Sequence, residues 1–443
     1  MRTLIQNVTA LTLDAEDRLL PGVELALEDQ RILAVGQAPP DFAPDEVIDG
    51  RELVALPAFF NAHCHAPMTL ERGWAEDLPF ERWLNEKIWV AESALEAEDV
   101  AWGAALAAAE MIRSGSVGFA DHYFWMDRVA EVVAESGMKA LLAWCHFGIG
   151  DDQEVGGVPF EDTVAFVEAW DGAAGGRIHT ALGPHSPYMT PTDVLRRCVA
   201  EAERLGVGAH FHLSESSEQV RRSLERHGLT PPAYVAGLGL LDLPRPTLVA
   251  HCNAATAEDQ ALLAAKGVYV AHAPKTYQKL GMEMPPLPEM LARGVRLALA
   301  TDGPASNSDF NMLELLRLVG LHWKGALLAP EVLPRTQLLR MATQAPAAAL
   351  GFPESGVLAP GRPADLLLLD TTAPHWIPRH DLAAGVVYTA HPGDVAYVWC
   401  DGRLLYRKGE FLTLDIERIR WEAERRAFRM VGQPMSSLRA YTG

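Results

Sequence analysis

The chain changes its hydrophobic pattern twice. From residue 1 to 56 short runs alternate apolar and polar positions, TLIQNVTALTLD, VELALEDQRILAVG and EVIDGRELVALP, with Asp and Gly between them. Period-two alternation puts one face inward and predicts β-strands. The texture returns in ADLLLLD (364–370) and DVAYVWCDGRLLYRKGEF (394–411), where Asp401 and Gly402 predict a hairpin turn. Matching ends predict one small β-sandwich domain built from residues 1–56 and 356–443, the latter closing on a helix at IERIRWEAERRAFRMV.

Between these ends, over residues 57–355, an apolar run followed by a helical stretch repeats. The eight runs are VALPAFFNAH, which begins within the preceding strand, SVGFADHY, KALLAWCH, RIHTALGPH, GVGAHFHLSE, PTLVAHC, VYVAHAP and RLALATD. Helical spacers such as PTDVLRRCVAEAERLG and AEDQALLAAKG end at Gly, a common helix stop. Eight βα units in a row predict an α/β fold, a (β/α)8 TIM barrel, with a doubly wound open sheet as the competing topology. Nearly every run ends in a titratable residue: His63 and His65, Asp121 and His122, His146, His185, His212 and Glu215, His251, His272, Asp302. In a parallel barrel those ends share one mouth, where active sites lie.

Length and composition fit this picture. A chain of 443 residues, 49% hydrophobic and 22% charged, suits a large globular domain with a satellite and excludes a disordered or fibrous class. The 58 acidic against 38 basic residues give a net charge of −20, which repels nucleic acid polymers and anionic membranes. A small-molecule substrate is the partner expected. The N-terminus reaches Asp14 before any signal-like apolar run, and no segment approaches the ~20 apolar residues of a membrane helix. Five widely spaced cysteines without a CxxC pair point to a reducing cytoplasm.

The candidate chemistry is that of a metal site. In a strand, positions i and i+2 project from the same face, so His63 and His65 can reach one ion while Cys64 points away. Such a pair needs further ligands, and other strand ends offer His212 or His210, which share a face, with His251 and Asp302. Three imidazoles and a carboxylate suit one divalent ion, zinc(II) foremost, with iron(II) or manganese(II) also compatible. The fourth strand ends in His185, and no lysine lies between Lys139 and Lys266, so a lysine-bridged pair of ions is not expected. A bound cation lowers the pKa of water toward ~7, and Glu215 can move the protons that attack on an unsaturated carbon requires. Asp302 can take the proton from the water, and His251 can polarise the attacked centre. Each has a plainer reading: Glu215 as a helix cap, His251 as another metal ligand, Asp302 as a turn residue in TDGPASN.

PAFFNAHCHAPMTLERGWAEDLPFERWLNEKIW, GPHSPY, HLSES, AHC and ATDGPASNSDFNM, in this order, resemble the amidohydrolase superfamily along essentially the whole chain. The likeness is to the branch of chlorohydrolases and methylthioadenosine/S-adenosylhomocysteine deaminases. It implies that His63, His65, His212 and Asp302 hold one divalent metal, that Glu215 shuttles a proton to a purine ring and that His251 acts on the attacking hydroxide or the tetrahedral centre. It further implies that His185 contacts substrate, Trp83 packs on the nucleoside and Glu92 binds its ribose hydroxyls. It also implies a homo-oligomer, dimer or larger. S-adenosylhomocysteine deaminases carry two arginines after the third strand, suited to the substrate carboxylate. The matching stretch here, KALLAWCHFGIGDDQEVGGVPFEDTV, has none, and Trp144 stands where the first would be. The resemblance thus implies deamination of an adenine-type nucleoside, methylthioadenosine or adenosine rather than S-adenosylhomocysteine. Trp144, His146 and Phe147 either line a subsite for the 5′ substituent or pack under the mouth, and alternation turns Cys145 away from His146 into packing. Another N-heterocycle, a pterin, oxidised purine or s-triazine, is the alternative substrate.

Overall fold

The computed structural model describes residues 1–148, 154–155 and 159–433. Five strands open the chain: β1 (Arg2–Leu11), β2 (Leu19–Glu28), β3 (Arg31–Gly36), β4 (Glu46–Asp49) and β5 (Leu53–Pro57). The run VALPAFFNAH is divided at Ala58. Ala58 N–H donates to Asp365 O of the terminal sheet at 3.1 Å, whereas Phe59 N–H donates to Gly115 O of the barrel at 3.0 Å. One residue therefore hands the chain from the sheet to β6 (Phe59–Cys64), the first barrel strand.

The barrel continues with β7 (Ser116–Tyr123), β8 (Lys139–Gly148), the two-residue β9 (Glu154–Val155) antiparallel to β8, then β10 (Ile178–Pro184), β11 (Gly208–Leu213), β12 (Leu248–His251), β13 (Tyr269–His272) and β14 (Arg296–Leu299). Apart from β9, these strands pair in parallel in sequence order, without the mid-sheet reversal of a doubly wound fold. The seam between β14 and β6 is bridged: Asp302 N–H donates to His63 O at 3.0 Å, and the Asn61 side chain accepts Thr301 N–H at 3.0 Å and donates to Thr301 Oγ1 at 2.6 Å. Core packing on both faces explains why these strands read as unbroken apolar runs.

The chain then returns to its first sheet with β15 (Leu366–Asp370), β16 (Val395–Cys400), β17 (Arg403–Arg407) and β18 (Glu410–Phe411). Both chain ends thus build one mixed sheet, ordered β18-β17-β16-β15-β5-β1-β2-β3 with β4 beside β1. Period-two alternation gives it two apolar faces. Leu366 and Leu368 join a local core with Ile5, Leu25 and Trp399, while Leu367 and Leu369 enter the barrel core. The expected hairpin turn is present with Asp401 at φ 44° and Gly402 at φ 70°. A Cβ on Gly402 would lie 1.7 Å from Asp29 O, so no other residue fits there.

Polar contacts also tie the terminal segments to the barrel. Lys139, at the start of β8, is buried and bonds Asp365 at 2.6 Å and Asp401 at 2.7 Å. The C-terminal helix Ile416–Met430 packs on the barrel helix Ala97–Arg113 through Arg426 with Asp99 (3.0 Å) and Arg429 with Glu96 (3.0 Å). Among the described residues, no helix is long and apolar enough to cross a membrane.

Candidate metal centre and substrate pocket

The ends of β6 and β11 bring together His63, His65 and His212, whose ligand atoms lie within 4.8 Å of one another. Asp302, just beyond β14, places Oδ1 3.3 Å from His65 Nε2 and 3.5 Å from His63 Nε2, and His212 Nε2 is 3.4 Å from His65 Nε2. Metal–ligand bonds of ~2.0–2.1 Å in a tetrahedral site put ligand atoms about 3.3–3.4 Å apart. The observed spacings fit one such ion.

Hydrogen bonds behind the rings fix which nitrogen faces the centre. His65 Nδ1–H donates to His122 O (2.6 Å) and His212 Nδ1–H to His185 O (2.9 Å), leaving each Nε2 lone pair free. His210 Nδ1–H donates to Leu248 O (2.9 Å), so His210 Nε2 accepts from His63 Nδ1–H at 2.9 Å. His63 Nε2 is consequently a buried lone pair without a hydrogen-bond partner. The choice that spacing leaves open between His210 and His212 is resolved geometrically: His212 faces the centre and His210 orients His63. Burial pushes the His212 imidazole down to about 4. Burial alone would also lower His65, but the Asp302 carboxylate beside it carries it up to about 8, so without a cation Nε2 keeps a proton that a bound cation would displace.

Asp302 sits in a turn, with φ 64°, yet its side chain points at the histidines. Its Oδ1 accepts Gly303 N–H at 2.8 Å and its Oδ2 accepts Ser306 O–H at 3.0 Å. Burial opposes its charge, but contacts with His63 and His65 hold the carboxyl well below the usual range. A Cβ on Gly303 would meet Met68 Sδ at 2.6 Å and His65 Cβ at 3.2 Å, so glycine permits the close approach of this turn to His65. Cys64 is buried on the other side of β6, its Sγ 3.9 Å from Asp121 Oδ1.

Glu215 and His251 face each other, with His251 Nε2 3.7 Å from Glu215 Oε1. The following helix, Ser217–His227, is capped by Ser216, which accepts Gln219 N–H, so capping does not occupy the Glu215 carboxylate. His251 Nδ1 lies 3.4 Å from the Tyr277 hydroxyl, whose oxygen accepts Ala273 N–H at 2.9 Å. The phenol proton can then go to Nδ1, and in that tautomer Nε2–H is directed at Glu215. Burial holds His251 down to about 4, hence neutral at pH 7.

His65, His212, Glu215, His251 and Asp302 line one cavity that also contains Trp83, Glu92 and His185, with the fully buried His63 behind its wall. Trp83 and Glu92 come from a short helical run, Phe80–Trp83 and Trp89–Glu92, joined by a π-helical turn at Leu84–Ile88. A π turn brings positions five apart onto one face, here Trp83 and Ile88, and both line the cavity. Glu92 Oε1 accepts the Tyr123 hydroxyl at 2.6 Å, and burial raises its carboxyl to about 7.

Trp144 requires a correction. Its ring packs on Phe166 at 5.6 Å, and the β8 residues that line the cavity are Cys145 and Phe147. His146 likewise faces outward, against Phe160 and Cys198. Alternation holds, but with the phase opposite to that expected. Part of the arginine-free stretch, 149–153 and 156–158, lies outside the described residues. Further polar residues of the site, Tyr123, Tyr188 and Gln219 among them, were not expected from the sequence, although YF, GPHSPY and SESSEQ adjoin residues that were.

Comparison with known proteins places this geometry. The model of the amidohydrolase family matches residues 54–405. A 5-methylthioadenosine/S-adenosylhomocysteine deaminase of Pelotomaculum thermopropionicum is 41% identical over 97% of this chain and 99% of its own length. Its namesake in Moorella thermoacetica is 45% identical over 89% and 92%. Among solved structures, an adenosine deaminase from Xanthomonas campestris with bound zinc superposes with TM-score 0.91 at 29% identity, covering 97% of this chain and 98% of the other. Atrazine chlorohydrolase from Arthrobacter aurescens, complexed with zinc, gives 0.88 at 25%, covering 96% and 100%. The chain belongs to the amidohydrolase family.

Proposed function

We propose that this chain is a metal-dependent hydrolytic deaminase of an adenine-type nucleoside, with methylthioadenosine or adenosine favoured over S-adenosylhomocysteine. One observation carries the reading: the cavity has the candidate metal centre and Glu215 among its walls together with Glu92, and no lysine or arginine lines it among the described residues. A carboxylate accepts from sugar hydroxyls, whereas an amino-acid carboxylate finds no cation to pair with. Relatives named as methylthioadenosine/S-adenosylhomocysteine deaminases and a zinc-containing adenosine deaminase support the reaction class.

Held by His63, His65, His212 and Asp302, a divalent cation, zinc foremost with iron(II) or manganese(II) open, would supply an activated water for addition to the amino-bearing ring carbon. Asp302, ionised at rest, accepts the second proton of the nucleophile and hands it on. Glu215 takes one proton from the nucleophile and delivers it to the ring nitrogen beside the attacked carbon; the second proton of the nucleophile goes through Asp302 to the departing amino group, which leaves as ammonia with an inosine-type product behind. His251 donates Nε2–H toward the oxygen on which charge develops. His185, neutral because burial holds its imidazole well below the ordinary value, contacts the base. Trp83 packs on the nucleoside and Glu92 receives the ribose hydroxyls. The reading extends to a homo-oligomer, dimer or larger, in the cytoplasm, and the five free buried cysteines fit a reducing compartment.

The similarity to atrazine chlorohydrolase favours one second reading, the same site acting on a pterin, oxidised purine or s-triazine. Ammonia release scored over adenine nucleosides, free bases, pterins and triazines separates the two. We expect methylthioadenosine or adenosine to lead, with S-adenosylhomocysteine at least about tenfold lower in kcat/KM, the loss of one charge-assisted contact. A best substrate without ribose overturns the nucleoside reading.

A further inference from the structure

Glu215 is the proton shuttle in the reading above, and its two oxygens have different surroundings. Oε2 accepts the Tyr188 hydroxyl at 2.8 Å and Gln219 Nε2–H at 3.2 Å. Oε1 instead faces His251 Nε2 at 3.7 Å. The orientation of Gln219 is unambiguous: Glu215 N–H can only donate, so the amide oxygen of Gln219 is the atom 2.9 Å from it, and the amide nitrogen turns to Oε2. Gln219 thus grips residue 215 at both backbone and side chain.

Both clamps are themselves fixed. Tyr188 stands in a tight turn after β10 in which Ser186 O accepts Thr190 N–H at 3.0 Å and Ser186 Oγ accepts Met189 N–H at 3.2 Å. Gln219 lies in the first turn of the helix Ser217–His227, its own N–H bonded to Ser216 Oγ. Burial and the nearby Glu215 charge hold the Tyr188 phenol well above its ordinary value, so it remains a donor.

We propose that Tyr188 and Gln219 are positioning residues that occupy Oε2 of Glu215 with two donors and so confine proton transfer to Oε1. An oxygen already accepting two hydrogen bonds cannot take a proton without losing one of them, whereas Oε1 is free on the side of His251. In each turnover Oε1 takes one proton from the nucleophile and gives it to the ring nitrogen, and the carboxylate is ionised again. The clamp also fixes the carboxylate plane, which proton transfer requires within hydrogen-bond reach. The inference rests on Glu215 being the shuttle.

The test uses the metal-loaded enzyme with Tyr188→Phe, Gln219→Leu and the double variant. Each single substitution should lower kcat about tenfold and the double about a hundredfold, within the usual range of acid–base effects, with KM inside about threefold of wild type. Metal content and thermal midpoint are measured alongside, and both should stay near wild type. Gln219→Glu keeps the size of the side chain and its bond from Glu215 N–H but removes the donor, so it should lose kcat as Gln219→Leu does. A double variant within twofold of wild-type kcat, a raised KM with kcat intact, or full activity in Gln219→Glu overturns the proposal. Absence of ammonia release from every adenine nucleoside by wild type would instead overturn the substrate reading. The variants are then compared on whichever heterocycle of the panel the wild type consumes.

Discussion

Asp302 donates its backbone N–H to His63 O at 3.0 Å and places its side-chain Oδ1 3.5 Å from His63 Nε2. The bond that closes the barrel therefore also sets the spacing of two candidate ligands 239 positions apart (302 − 63). Asn61 spans the same seam through two bonds to Thr301, and its Oδ1 also accepts His63 N–H at 3.4 Å. Asn61→Ala should cost on the order of 1–3 kcal/mol in denaturant unfolding. It should also weaken metal affinity about tenfold, measured by competition with a chelator. Unchanged affinity would separate barrel closure from the site.

His212 and His210 should behave differently although they share a strand face. His212→Ala removes a candidate ligand, so stoichiometric metal and ammonia release should both be lost. His210→Ala removes only the acceptor for His63 Nδ1–H, and affinity should fall about 10–100-fold with activity recovered at saturating metal. Equal loss in both variants would make His210 a ligand.

Trp144 packs against Phe166 and away from the cavity. Trp144→Ala should cost on the order of 3–5 kcal/mol of stability. Trp144→Phe, which keeps most of the packing, should leave KM for methylthioadenosine within about twofold. A large KM effect in Trp144→Phe, with the thermal midpoint intact, would restore its role as a substrate contact.

Glu71 is buried, and neither of its carboxylate oxygens has a hydrogen-bond partner. Burial, reinforced by the charge of Glu92, holds its acid well above the ordinary value of 4.5. The folded chain thus keeps a proton that the unfolded chain releases. As pH rises above the unfolded value, stability should fall by about 1.4 kcal/mol per pH unit until the folded group also ionises. Glu71→Gln removes the ionisation, so its thermal midpoint relative to wild type should be higher at pH 8 than at pH 5. The same difference at both pH values would show that Glu71 is not held protonated.

The barrel was legible because its strands end in polar residues that a parallel arrangement gathers at one mouth, which is how His63, His65, His212 and Asp302 come within reach of each other. The phase of β8 was not legible. Trp144 and His146 on one face and Cys145 and Phe147 on the other are all compatible with burial, so hydrophobicity does not tell the cavity side from the helix side. Spacing likewise could not separate His210 from His212, and the distinction comes from the hydrogen bond to His63. Tyr188 and Gln219 act on Glu215 from another strand end and from the next helical turn. Their roles depend on distances that no local pattern encodes.

The most direct test of a single-metal deaminase is a titration of chelator-stripped protein with zinc, following ammonia release from methylthioadenosine. Activity should rise from zero in proportion to added zinc and level off at one equivalent per chain, and Glu215→Gln should bind the same equivalent without releasing ammonia. Turnover by the stripped protein, saturation only at two equivalents, or full activity in Glu215→Gln would contradict the account.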